Sequence, residues 1–400
     1  MLHTKRSTRL NLVRVVMLNG LLVVACRHAG ELDGSEVKVG SDAAPAVSGD
    51  QQGVGSTVRV GGAKYLGNAI DVVDLHMHPG RYEDLGPIGR DFLRASLPNA
   101  LPVSLKDRTL SVAASYLLNP YGNFIGIKTE SEQAGLSRVG LFAVYAPDTW
   151  GVTSNESVIS YLDDPRNHDY MGRPFFFGLA SLRLQDWPAK EEQALQQLRQ
   201  ALKHPNMKGI KLAFIHNSIP MNDPKYDSIY QVAQDRGVPV YHHIGSSPLR
   251  RLKDFPDRAA QNHYLESYDP AGLERAIKKF PGVIFIMGHM GYDFNDEGYS
   301  FSDKVFELAS RYPNVYLEIS AFGDALHDPK GVEMNEMLKA IKARGLIART
   351  LYGSDGPSVP GGTKKYLMST LTNMEKLGFT HSEAEAVLGT NTRRVFKIID

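Results

Sequence analysis

From residue 70 onward the chain repeats one pattern, a short β-rich apolar run followed by a stretch with helical spacing. The runs are Ile70–His76, Arg138–Tyr145, Pro174–Leu179, Met207–Phe214, Val238–His243, Val283–His289, Val315–Ser320 and Thr350–Ser354. Unbroken Val, Ile, Phe and Tyr without polar alternation fit strands covered on both faces. Between them, Glu191–Leu202 puts Ala194, Leu195, Leu198 and Leu202 on one helical face. Tyr226–Arg236, Ala271–Phe280, Asp303–Arg311 and Gly331–Arg344 are spaced alike. Eight alternations over about 330 residues predict an α/β fold, a (β/α)8 barrel, with a doubly wound sheet as the alternative. The first strand-to-strand connection, from Pro79 to Ser137, is long and predicts a cap inserted after strand 1.

Composition agrees with one folded domain: 42% apolar and 22% charged residues can bury a full core, which excludes a disordered, collagen-like or multi-span membrane chain. A formal charge of +1 leaves no basic excess for holding nucleic acid. A single cysteine excludes an intrachain disulfide or a cysteine zinc cluster. No phosphate loop, nucleophile elbow or dinucleotide fingerprint occurs.

The amino-terminal segment reads as a leader. Lys5, Arg6, Arg9 and Arg14 precede a short apolar stretch that ends Val23-Val24-Ala25-Cys26, with no acid before Glu31. A basic start, a short apolar run and small residues at its end make a secretory signal, and the run is too short to span a bilayer. The ending resembles a bacterial lipobox, which implies a signal peptide over residues 1–25 and a membrane anchor through lipidated Cys26 in the cell envelope. Residues 26–65, rich in Gly, Ser and Ala, then form a flexible tether, and residues 66–400 the barrel domain. Removing four basic residues and no acid would leave 41 basic against 44 acidic residues, a net charge of −3.

Polar residues gather at the strand ends. The first strand ends Asp74-Leu75-His76-Met77-His78, and strand alternation points both histidines to one side. Lys211 interrupts an apolar run, His242-His243 ends the fifth strand, His289 the sixth, and Asp355 the eighth. A buried charge is costly unless paired or bound to metal, and the carboxyl ends of barrel strands form the active site. His76, His78, Lys211, one of His242 and His243, His289 and Asp355 together therefore point to a metal centre, with zinc suited to these ligands and manganese or iron as alternatives.

These segments resemble the amidohydrolase superfamily, specifically its amidohydrolase-2 group of metal-dependent barrel enzymes. The resemblance covers residues 70–396 and rests on DLHMHPG at 74–80, KGIKL at 208–212, VPVYHHIG at 238–245, FPGVIFIMGHMG at 280–291, LYGSDGP at 351–357 and VLGTNTRRVFKI at 387–398. It implies that His76, His78, His243, His289 and Asp355 are the ligand positions. It also implies that Lys211 occupies the place which, in binuclear relatives, is carbamylated and bridges two metals. If carbamylated, Lys211 gives a two-ion site; if free, it is a cation beside one ion. His243 is favoured over His242 because the family ligand stands just before a residue and a glycine.

Three functions fit. The first is a hydrolase of a lactone, ester or cyclic amide in a small molecule, with Asp355 moving the proton and a non-ligating His289 hydrogen-bonding the oxyanion. The second is a decarboxylase of an unsaturated or aromatic acid, and the third a binding lipoprotein without catalysis. Arg81, His216 and Tyr292 are candidate substrate contacts, and Glu318, Asp324 and His327 are possible neighbours of the site.

Overall fold

The structure, a computed structural model, describes residues 62–116, 124–322, 328–356 and 361–399. The leader, Cys26, most of the tether, and Asp324 and His327 lie outside the described residues.

Eight parallel strands follow one another in chain order around a single sheet. They are β1 (Val73–Met77), β2 (Arg138–Phe142), β3 (Phe176–Ala180), β4 (Met207–Leu212), β5 (Val240–Gly245), β6 (Phe285–Tyr292), β7 (Val315–Glu318) and β8 (Thr350–Leu351). Each pairs in parallel with the next. A doubly wound sheet would reverse its order at a switch point, and this one does not. The first and last strands meet through Leu75 N–H donating to Tyr352 O at 3.0 Å. Asp74 Oδ1 completes this seam by accepting from the backbone N–H groups of His76 and Ser354, both at 3.0 Å. The sheet is thus a nearly closed (β/α)8 barrel.

Every residue of β1, β2 and β3 is buried, as their unbroken apolar character demands. The expected strands are present with shifted ends. The largest change is at Arg138–Tyr145, where β2 stops at Phe142 and Val144–Ala146 turns into an antiparallel hairpin with Gly151–Thr153.

Helices α1 (Pro87–Arg94), α2 (Val103–Tyr116) and α3 (Phe124–Ala134) occupy the first connection. α4 (Asn155–Leu162), α5 (Glu191–Ala201), α6 (Asp227–Arg236), α7 (Arg258–Glu266), α8 (Glu274–Lys279), α9 (Ser302–Arg311), α10 (Val332–Ala343) and α11 (Gly362–Lys376) follow. α5 buries Ala194, Leu195, Leu198 and Ala201, and α10 buries Met334, Met337, Leu338 and Ile341. Each large apolar side chain so buried contributes about 1.5–3 kcal/mol. α4 starts where Ser154 Oγ accepts from Ser157 N–H, and α6 stops at Gly237, whose φ of 60° few other residues tolerate.

The cap is narrower than the sequence suggests. α3 packs on α11 and belongs to the barrel's outer ring. The inserted part is therefore the segment up to α2. It docks on the β2 hairpin through Gly86 N–H to Thr149 O and Ile88 N–H to Asp148 O, over a cluster of Tyr82, Leu85, Leu93, Leu97, Leu110 and Trp150.

At the opposite end, Lys64–Tyr65 pairs with Asn68–Ala69 ahead of β1. The buried Tyr65 donates through Oη to Phe379 O at 2.8 Å. The described chain therefore enters the barrel at the amino ends of its strands.

Candidate metal centre

At the carboxyl ends, β1 and the turn after β8 bring three ligand atoms together. His76 Nε2 lies 3.0 Å from His78 Nε2 and 3.1 Å from Asp355 Oδ1, and His78 Nε2 lies 3.4 Å from the same oxygen. Ligands about 2.0–2.2 Å from a tetrahedral zinc would be separated by roughly 3.3–3.6 Å, so this triangle has nearly the edge length of a ligand face. Two residues of strand geometry set the histidine pair, and a left-handed φ of 54° at Asp355 turns its carboxylate toward them.

Three further candidates surround the triangle. The His289 ring centre is 5.1 Å from that of His76, and the His243 centre is 4.3 Å from that of His289. Lys211 Nζ lies over the Tyr241 ring, 4.2 Å from its centre. His243 Nε2, His289 Nε2 and Lys211 Nζ are buried without a hydrogen-bond partner. Such orphaned groups cost about 1–3 kcal/mol each unless something fills the space between them. A nitrogen-rich donor set of this kind, with one carboxylate, suits a divalent cation. The residues present fit the group.

His289 reaches its place through an irregular backbone. His289, Met290 and Gly291 have φ of 60°, 48° and 80°, and the pairing of β6 with β5 shifts register between Gly288 and Tyr292. Left-handed φ costs about 1–2 kcal/mol at each non-glycine residue. Such irregularity clusters at functional sites.

Burial dominates the electrostatics. It drives the His76 and His243 imidazoles well below their ordinary range and His289 down to about 4. All three are therefore neutral at pH 7 and keep a lone pair for a cation. Burial lowers the Lys211 amine to about 7, against the opposing pull of Asp355 and Glu318. Burial pushes the Asp355 carboxyl up, but the surrounding His76, His78 and His289 imidazoles hold it well below the carboxylate range.

The remaining expectations separate clearly. His242 points away from the centre, stacked on Phe285 with its Nε2 3.1 Å from Tyr230 Oη. His216 is buried, with its ring centre 4.6 Å from that of His243. Tyr292 donates to Glu333 Oε2 at 2.6 Å, beside Phe294 and Phe322. Arg81 is not brought to the centre: its side chain is 74% exposed and paired with Asp84 at 3.2 Å.

Beneath the histidines lies a polar layer that sequence reasoning largely missed. Tyr241 Oη is 2.9 Å from His76 Nδ1 and donates to Glu318 Oε2 at 3.0 Å. Ser320 Oγ is 2.8 Å from His289 Nδ1 and donates to the same oxygen at 2.7 Å. The His289 backbone N–H also donates to it at 3.1 Å. Tyr241, Glu318 and Ser320 are fully buried. Glu318 Oε1 stands 3.4 Å from His76 Nδ1, and His76, His289 and Glu318 form a second group of convergent ligand atoms. Two glycines open the space. A Cβ on Gly288 would meet Tyr241 Oη at 2.0 Å, and one on Gly353 would meet Glu318 Oε1 at 2.0 Å. The available signal was the two-residue period that pairs Tyr241 with His243 and Glu318 with Ser320, as it pairs His76 with His78.

A family model described as amidohydrolase matches residues 175–398, which take in Lys211, His243, His289 and Asp355. No curated protein matches the chain. The fold is similar to a TIM-barrel protein from Bordetella bronchiseptica described as uncharacterized, at TM-score 0.53 and 16% identity over 82% of this chain and 99% of that one. It is similar to 5-carboxyvanillate decarboxylase from Sphingomonas paucimobilis, at 0.50 and 15% over 83% and 100%. It is also similar to a probable 2-pyrone-4,6-dicarboxylic acid hydrolase from Acinetobacter baumannii, at 0.50 and 13% over 82% and 100%. Identities this low speak for the fold. The family match spans more than half of the chain, and the chain belongs to the amidohydrolase family.

Proposed function

We propose that the protein is a metal-dependent hydrolase that cleaves a C–O or C–N bond in a lactone, ester or cyclic amide. The convergence of His76 Nε2, His78 Nε2 and Asp355 Oδ1 carries this reading. With His243, and with His289 or Lys211 beside them, these residues would hold the cation. A bound divalent ion supplies a water acidified toward neutral pH and a Lewis acid for the scissile carbonyl.

The chain's own groups do the rest. Asp355 accepts the proton of the attacking water at a carboxylate oxygen and delivers it to the leaving oxygen or nitrogen. Lys211, in its protonated form, would hold negative charge on the substrate. The β2 hairpin is tied to the turn after β4 by Thr149 Oγ1 donating to His216 O at 3.0 Å, and on this reading His216 and Tyr292 contact the substrate.

Lys211 also favours a second reading. A buried amine without a hydrogen-bond partner is suited to a substrate carboxylate, and loss of carbon dioxide from an unsaturated or aromatic acid would use the same ligands. The names of the similar structures include both a decarboxylase and a hydrolase.

The test is to load the protein with zinc or manganese and measure metal content. Wild type and Asp355→Asn are then compared on panels of lactones, cyclic amides and aromatic acids. The expected result is stoichiometric metal and a loss of about 10²–10⁴-fold in the variant. Carbon dioxide release without hydrolysis would select the second reading. Absence of metal together with equal rates would refute both. Export and lipidation at Cys26 remain part of the proposal, and labelling with radioactive palmitate that persists in Cys26→Ser would remove them.

A further inference from the structure

Counting protons in the buried layer leads to a role for Glu318 that its sequence position alone does not reveal. Glu318 Oε2 receives three donors, the Tyr241 hydroxyl at 3.0 Å, the Ser320 hydroxyl at 2.7 Å and the His289 backbone N–H at 3.1 Å. A hydroxyl carries one proton. Tyr241 spends its proton on Glu318, so toward His76 Nδ1, 2.9 Å away, it can only accept. Ser320 spends its proton on the same oxygen, so toward His289 Nδ1, 2.8 Å away, it too can only accept. Both Nδ1 atoms must then carry hydrogen. A neutral imidazole has one N–H, which leaves both Nε2 atoms bare.

We infer that Glu318 is a positioning residue: through Tyr241 and Ser320 it fixes His76 and His289 together in the Nδ1–H tautomer, with both Nε2 lone pairs turned into the centre. The inference rests on the metal-centre reading for its purpose, because a bare Nε2 is what a cation requires. The tautomers themselves are properties of the metal-free protein. Geometry supports the assignment at the receiving end. His289 Nε2 is buried with no hydrogen-bond partner, whereas His76 Nε2 lies 3.1 Å from the Asp355 carboxylate, an acceptor that Tyr241 and Glu318 must outweigh until a cation is bound. One carboxylate therefore sets two histidines on different strands, β1 and β6, from a third strand, β7. Gly288 and Gly353, where any side chain would fill this space, flank the two partners of the arrangement, Tyr241 and Glu318. One consequence revises an expectation from the sequence. A neutral His289 with a bare Nε2 cannot donate to an oxyanion at that atom, and serves there as a ligand or an acceptor.

The test reads ring nitrogens directly. Long-range ¹H–¹⁵N spectra of histidine-labelled, metal-free protein report which nitrogen is protonated, and zinc competition with a chromophoric chelator gives metal affinity. Wild type is expected to show Nδ1–H at both His76 and His289. Tyr241→Phe should loosen the preference mainly at His76, Ser320→Ala mainly at His289 with a smaller effect at His76, whose Nδ1 lies 3.4 Å from Ser320 Oγ, and Glu318→Gln should loosen it at both. Zinc affinity should fall about 10–100-fold in Glu318→Gln. Unchanged tautomers in Glu318→Gln, or Nε2–H at either histidine in wild type, would overturn the inference. So would a Tyr241→Phe effect spread equally over both rings, which marks general loosening. Should Glu318→Gln fail to fold, the two single-hydroxyl variants decide the matter. None of these readouts depends on which reaction is catalysed, so failure here is distinct from failure of the proposed function.

Discussion

Lys211→Met should stabilise the metal-free protein, and it should do so only below alkaline pH. Lys211 is 1% exposed and its Nζ has no hydrogen-bond partner. Burial moves the amine from 10.5 to about 7, which corresponds to about 5 kcal/mol at about 1.4 kcal/mol per pH unit. Between those two values the unfolded chain holds a proton that the folded chain has given up. Stability therefore rises with pH through that window, and below pH 7 nearly the whole amount is missing.

Methionine keeps the unbranched length and removes the amine. It also removes contacts of Nζ with the Tyr241 and Phe142 rings, at 4.2 and 5.1 Å, worth up to about 2 kcal/mol when the amine is charged. The difference leaves a net gain of about 3 kcal/mol at pH 7, fading toward pH 10.5. Urea unfolding of both proteins in chelator and bicarbonate-free buffer, across that pH range, measures it. Intact mass would confirm that the lysine carries no carbamate. A less stable variant at pH 7, or a difference that ignores pH, would refute the reasoning.

Other outcomes follow from the same geometry. Gly288→Ala drives a methyl into Tyr241 Oη, and should cost about 1–3 kcal/mol in chemical denaturation while weakening zinc binding through His76. His242→Phe should keep zinc affinity, because His242 stacks outside the centre on Phe285. His243→Asn should lower it at least tenfold, and chelator competition on the pair separates the two neighbours. Acid should unfold the metal-free protein early. As pH falls below about 6.5 the unfolded chain protonates His76, His216, His243 and His289 while the folded chain resists, so each withdraws about 1.4 kcal/mol per pH unit. Glu318 and Asp74, whose pKa values burial raises, oppose this with two groups against four. A melting temperature that stays flat from pH 7 to 5 would contradict that balance.

Much of the barrel is legible in the sequence because strands buried on both faces are continuous apolar runs, and the helices between them show a clear stripe. His76, His78 and Asp355 are legible for a related reason: they are polar where such a run should end apolar. Strand ends are less legible. Whether Val144 extends β2 or begins a hairpin depends on the cap that packs against it, and that contact comes from Gly86 and Ile88, far away in sequence. Glu318 stands out as a carboxylate in an apolar run, but Tyr241 and Ser320 are hard to find because a tyrosine in a β-rich run looks like ordinary core. Their meaning appears only when three strands place one carboxylate oxygen beside two hydroxyls. Arg81 shows the opposite error. A cation next to the HxH motif is attractive on paper, but Asp84 three residues on holds it at the surface.

The closure of the sheet has a consequence for how the molecule opens. β8 is two residues long, and among the described residues the link to β1 is one backbone hydrogen bond, to Tyr352 just after β8, reinforced by Asp74. His76 and His78 stand on one side of this seam and Asp355 on the other. On the proposed ligand set, a bound ion is a clasp between the first and last strands, holding the two ends of the fold together where main-chain pairing is sparsest. Loading the site and locking the barrel are then one event. Amides around Leu75 and Ser354 should be the place where hydrogen exchange slows most when metal is added, and the first to exchange when it is withdrawn.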